Sequence, residues 1–161
     1  MITLPEKDTD HGAESRLLLA ECRGPSLAGY NLADARTCMQ LMHLVLWNRV
    51  KDPGPFLAKA KTLVAVITAK GQFRGFEPYP DFDPLIANNI QQMIEIANNQ
   101  KDKRSGHFAD FLNTALSVAA GPIMTDPSKG ALTAWRTAGS GSPGSHFKLH
   151  QTVLGTDFYF V

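Results

Sequence analysis

Apolar positions recur at helical spacing along most of the chain and turn strand-like only near its end. The run Leu17, Leu18, Leu19 and Ala20 follows a polar start and stops at Gly24-Pro25. Proline cannot continue a helix and restricts the residue before it, so a first helix is expected from about Gly12 to Cys22. Residues 1–11 are polar and are expected to be loose, and "SLAGYN" reads as a turn. A second helix is expected over Leu32 to Val50, where Met39, Leu41, Met42, Val45, Leu46 and Val50 mix spacings of three and four. A helix apolar over so much of its circumference belongs at the centre of a fold. "KDPGP" (51–55) ends it, and a shorter helix, Phe56 to Thr68, should follow. The β-branched content of "LVAVIT" would also permit a strand there.

Residues 70–84, "KGQFRGFEPYPDFDP", hold two glycines, three prolines and four aromatics. A loop of this length in a compact domain is usually functional or disordered, and so many aromatics argue for function. Asp83-Pro84 reads as N-cap and first helical residue. The helix it opens carries Ile86, Ile90, Met93, Ile94 and Ala97 on one face. "NNQKDKRSG" is a polar connection, and a further helix, about His107 to Ala120, presents Phe108, Phe111, Leu112, Ala115, Leu116 and Ala119. "ALTAWRTA", "HFKLHQTV" and "TDFYFV" are then short segments rich in β-branched and aromatic residues that read as strands, with "GSGSPGS" as a flexible turn. The expected fold class is α+β: a mainly helical body with a small antiparallel β lobe near the C-terminus. Residues 12–161 are expected to form a single domain.

Composition narrows the function. The chain has 161 residues, 43% hydrophobic and 19% charged, with a net charge of +1. That supports one domain with a real core and gives no basic surface for capturing nucleic acid or an anionic membrane. The first fifteen residues lack a basic and an apolar region, so no signal peptide is expected. The longest apolar stretch, near Leu63 to Ile67, falls far short of the roughly 18 residues of a membrane span. Cytoplasmic synthesis is therefore expected, and any function outside needs another export route.

Few chemistries survive a motif search. Cys22 and Cys38 are too few for a disulfide framework, form no C-x-x-C, and read as buried free thiols. His11, His43, His107, His146 and His150 show no metal-ligand spacing, so no metal is expected. There is no G-x-S-x-G and no glycine-rich phosphate cradle, and no cofactor is implied. Glu21 remains. A carboxylate that ends an apolar helix is partly desolvated, which raises its pKa and suits it to general acid work. A solvated helix-end glutamate is the plainer reading of that residue alone.

Five blocks add to this: "AECRGPS" (20–26), "VLWNRV" (45–50), "GQF" (71–73), "TDPSKGALTAW" (125–135) and "LGTDFYF" (154–160). Their types and order resemble the spore-cortex-lytic type of cell-wall hydrolase family. That family shows an A-E-A-R-G-E-like start, V-x-N-R-V, Q-F, D-P-T-x-G-A and a final G-x-H-x-F. The resemblance covers roughly residues 17 to 160. It implies a lysozyme-like catalytic domain, a helical body and a small β lobe with a groove between them. The implied substrate is the peptidoglycan glycan strand, cleaved between N-acetylmuramic acid and N-acetylglucosamine, commonly by a lytic transglycosylase. The family's catalytic acid falls on Glu21.

The sequence departs from that pattern by insertions around "FRGFEPYPDFDP" and "ANNQKDKRSGHFADF" and at two motif positions. Pro25 and Ser26 stand where the start motif carries its second glutamate, and Asp157 stands where the final segment carries histidine. The resemblance also implies roles for other residues, each with a plainer alternative. Gln72 and Phe73 would hold an N-acetyl group and a sugar face. Tyr79, Trp135 and Tyr159 would stack on sugars, although aromatics more often fill cores. Asp126 falls in the D-P block as a substrate-binding candidate and otherwise starts a turn before Pro127. Asn48 and Arg49 would brace the acid or line the groove, and Arg23 would pair nearby or reach a stem-peptide carboxylate. Asp81, Asp83, Asp126 and Asp157 are the candidates for a second carboxylate in a hydrolase.

A wall enzyme without a leader needs delivery. Injection by a contractile (type VI-like) secretion machine as an antibacterial effector fits, and it implies a cognate immunity protein. Release through a phage holin, as for an endolysin, fits as well. Two other classes stay open. One is a non-catalytic glycan-binding or structural module, favoured by an exposed Glu21. The other is a cysteine peptidase or amidase on stem peptides, which needs Cys22 or Cys38 within hydrogen-bond reach of a histidine.

Overall fold

The structure, a computed structural model, describes residues 1–54, 57 and 59–161. Five helices precede three strands among these residues: α1 (Asp10–Glu21), α2 (Leu32–Lys51), α3 (Leu63–Thr68), α4 (Pro84–Asn98), α5 (Ser105–Ala120), β1 (Leu132–Thr137), β2 (Lys148–Val153) and β3 (Thr156–Phe160). The α+β expectation holds at this level. The helix expected to start at Phe56 is shorter. It starts at Leu63, where Thr62 caps it by accepting from the Ala65 N–H. Phe56 itself lies outside the described residues.

Local chemistry sets the helix ends. Thr9 accepts from the Gly12 N–H and Asn31 from the Asp34 N–H, so each satisfies a donor that the helix leaves unpaired. Asp83 caps α4 through the Leu85 N–H, with Pro84 following, as the sequence suggested. α1 stops at Glu21 because Cys22 is already extended ahead of Gly24-Pro25.

α2 is central: Ala35, Cys38, Met39, Met42, Leu44, Val45 and Leu46 are fully buried. One core cluster joins it to Leu18 and Leu19 of α1, Phe111 and Leu112 of α5, and Phe158 of β3. A second cluster holds Leu17, Leu46, Leu63, Val66, Ile67, Phe73, Phe76 and Phe82. Trp135 and Ile86 pack against both clusters. The aromatics of the 70–84 loop are therefore mostly core. Phe76 is fully buried and tilts against Phe82 at 4.9 Å. The loop substitutes side-chain packing for regular hydrogen bonding, and Gly75 permits this at φ +89°. A Cβ there would come 2.4 Å from Ile86 Cδ1.

The first nine residues are not loose. Ile2 exchanges two hydrogen bonds with the Asn98 side chain, and Ile2 and Leu4 pack on the core. Arg16 donates to the Pro5 carbonyl, and Lys7 pairs with Asp81. Gly12 allows the segment to lie directly on α1, because a Cβ there would sit 1.8 Å from the Glu6 carbonyl oxygen. Polar composition concealed this docking, since much of it uses backbone groups.

The sheet is antiparallel in the order β1-β3-β2. Trp135 faces Phe158 and Arg136 faces Asp157 across β1 and β3. The register slips between Leu132 and Ala134, which leaves Thr133 as an extra residue. Such a bulge releases a backbone group from the ladder and re-aims the side chains that follow.

Candidate active site

Glu21 ends α1, and Trp135 of β1 donates its indole N–H to Glu21 Oε2 at 3.3 Å. The Glu21 side chain is exposed to solvent on one side and crowded by protein on the others. That partial burial raises its pKa, and the indole hydrogen bond acts in the opposite direction.

Trp135 is itself held from behind. It stacks on Phe73, with ring centres 5.0 Å apart and planes 25° off parallel. The Arg49 guanidinium lies 5.5 Å from the Phe73 ring centre and 5.8 Å from that of Trp135. Arg49 Nε donates to the Thr133 carbonyl at 2.8 Å, at the bulge. Its Nη1 donates to Gln72 Oε1 at 3.2 Å. Burial pulls the Arg49 pKa down to about 10, so it stays charged at neutral pH. Next to it, Asn48 Nδ2 donates to Asp126 Oδ2 and to the Leu132 carbonyl, both at 2.9 Å. The last turn of α2 thus fixes the start of β1 and, through β1, the indole beside Glu21.

Glu21, Trp135, Phe73, Arg49, Gln72 and Asn48 therefore form one connected group, in which Asn48 and Arg49 tie α2 to β1. Some expected roles change. Phe73 is 6% exposed, and its face is taken by Trp135, so it supports the indole and is closed to a sugar. Gln72 spends its carbonyl on Arg49, while its amide nitrogen has no partner among the described residues. Asp126 is a loop tie that accepts from Ser128 N and Oγ, Gly130 N and Asn48. Tyr79 is joined to the N-terminal segment, its hydroxyl donating to the Asp8 carbonyl. Tyr159 is buried and pairs with Ala134 across the strands, so it leaves the sheet on the face opposite Trp135. Arg23 donates to the Ala28 carbonyl and lies against Gly155, holding the turn after the acid.

The four aspartates considered as second carboxylates are all engaged in structure. Asp81 pairs with Lys7, Asp83 caps α4 and Asp126 ties its loop. Asp157 accepts from Thr152 Oγ1 at 2.5 Å and from the Gly139 N–H. Both thiols are free and buried. The neighbouring Cys38 and burial push the Cys22 thiol up. Among the described residues neither thiol bonds to a histidine; Cys22 Sγ meets the Arg23 and Ala35 carbonyls. No group of three or more potential metal ligands occurs among the described residues. No helix of the described residues is long and apolar enough to cross a membrane.

Sequence reasoning missed a buried pair, Glu14 and His43, with Nδ1 and Oε1 2.5 Å apart. "GAESR" looks like a solvated helix start, and nothing local marks Glu14 as interior. Family models, curated proteins and solved structures return no match to this chain.

Proposed function

We propose that the chain cleaves peptidoglycan glycan strands on a lysozyme-like arrangement, with Glu21 as its single general acid and base. The observation that carries this reading is the Glu21–Trp135 contact. It places an accessible carboxyl of raised pKa beside an indole fixed by Phe73 and Arg49. The motif resemblance supports the same residue.

The chemistry suits one carboxyl. Glu21 protonates the glycosidic oxygen as the bond to the sugar's anomeric carbon breaks. The resulting carboxylate then takes the proton of that sugar's own 6-hydroxyl, whose oxygen attacks the anomeric carbon and closes a 1,6-anhydro ring. Glu21 is regenerated as the acid, and no water is consumed. A two-carboxylate glycosidase needs a second acid at a set separation, and the candidate aspartates are already engaged. Such an enzyme would act after delivery to the wall, either as an injected effector paired with an immunity protein or as a phage lysis protein.

The test is digestion of Gram-negative peptidoglycan by wild type and Glu21→Gln, with products read by mass spectrometry. Anhydro-muropeptides from the wild type alone support the reading, and reducing-end products overturn the one-carboxyl mechanism. The exposure of Glu21 favours one second reading, a glycan-binding module without catalysis. Binding of glycan with no cleavage by the wild type would establish it.

A further inference from the structure

A second site lies on another side of α2. Arg36, Gln40 and His43 are spaced i, i+4 and i+7, so they share one face of that helix. They line a cavity of about 440 Å³ between α2, α5 and residues 121–124, whose other wall includes Val118, Ile123 and Met124. That volume suits a small organic ligand.

Behind this wall, Glu14 is fully buried and His43 is 3% exposed. Among the described residues, His43 Nδ1 meets only Glu14 Oε1, and His43 Nε2 meets no partner. A buried pair strongly disfavours net charge. Only one proton is then shared between Oε1 and Nδ1. In the neutral arrangement whose second proton sits on Nε2, the pair offers an unpaired donor beside the cavity that His43 lines. Arg36 and Gln40 are exposed at the rim, and neither side chain has a hydrogen-bond partner among the described residues.

We propose that this cavity binds a small carboxylate with an aliphatic body, its oxygens held by Arg36, Gln40 and the His43 Nε2–H. A carboxylate supplies two acceptors in one plane, which matches a guanidinium fork and a neighbouring N–H. The apolar side of the cavity takes the aliphatic part. Nε2 is itself shielded from solvent, so this binding requires the imidazole to turn toward the cavity. The proposal is independent of Glu21.

The experiment titrates the full chain with N-acetyl-alanyl-alanine and, separately, with its C-terminal amide. Binding is followed by calorimetry and by the His43 ring resonances. The acid should bind saturably and move the His43 signals, the amide should bind at least about ten-fold more weakly, and Arg36→Ala and Gln40→Ala should each weaken the acid about five-fold or more. Both substitutions are on the surface, so an unchanged melting temperature shows that the fold persists. Absence of saturable binding by the acid, equal binding of the amide, or indifference to Arg36→Ala overturns the proposal.

Discussion

Trp135 Nε1 donates to Glu21 Oε2 across 3.3 Å, joining the end of α1 to β1 over 114 residues of sequence. This hydrogen bond favours the charged carboxylate and lowers a pKa that burial raises. Trp135→Phe keeps an aromatic ring over Phe73 and removes the donor. The Glu21 pKa should rise, and the alkaline limb of the pH profile of kcat/KM should move to higher pH. A carboxyl carbon titration followed by NMR checks the same shift without turnover. The lost bond costs about 1 kcal/mol, which corresponds to several-fold in rate.

Glu21→Gln should reduce glycan cleavage by about 10²- to 10⁴-fold, the usual contribution of a positioned general acid. It should also change stability in a pH-dependent way. Glu21 holds its proton more tightly folded than unfolded, so the folded state binds more protons between the two pKa values and stability falls as pH rises through that window. The variant lacks this penalty. Its melting temperature should exceed that of the wild type at neutral pH and match it in acid, below both pKa values. Solvent screening on the open side keeps the gain under about 1 kcal/mol.

Arg49→Lys tests the brace behind the indole. Lysine keeps the charge and loses the fork that reaches Thr133 and Gln72 together. A loss of about 2 kcal/mol is expected in denaturant unfolding. Trp135 fluorescence should shift as the stack loosens, with Trp47→Phe used as background to isolate that signal.

Asn48→Ala removes both bonds from the α2 end to the β1 start and leaves the Leu132 carbonyl short of a donor. About 2–3 kcal/mol should be lost, which lowers the melting temperature by roughly 4–12 °C for a chain of this size. Amide exchange should accelerate in β1 more than in α5 if the bond acts on the sheet.

The helical body could be read from the sequence because its signals are local. The apolar circumference of α2, the Asp83-Pro84 start of α4 and the Gly24-Pro25 stop after α1 each depend on a few neighbouring residues. The same holds for Glu21, whose apolar approach and abrupt exit from a helix are visible in ten letters. The other parts of the site depend on tertiary pairing. The resemblance implies Phe73 as a sugar platform, yet the loop forms its own core and closes that face. Tyr159 and Trp135 look alike as strand aromatics, and only the β1–β3 register shows that they leave opposite faces. Glu14 and His43 lie 29 residues apart, and their meeting depends on how α1 crosses α2.

The sheet order has a consequence for assembly during synthesis. The middle strand, β3, is translated after both of its neighbours, so β1 and β2 have no shared partner until residues 156–160 have emerged. Glu21 is made early, and until then β1 is held at its start, by Asn48 and Arg49 of α2. A ribosome-bound nascent chain lacking β3 should carry a helical body with Trp135 beyond the anchored start of β1 and without its cross-strand neighbour Phe158. The order of translation thus delays completion of the site until the sheet can close.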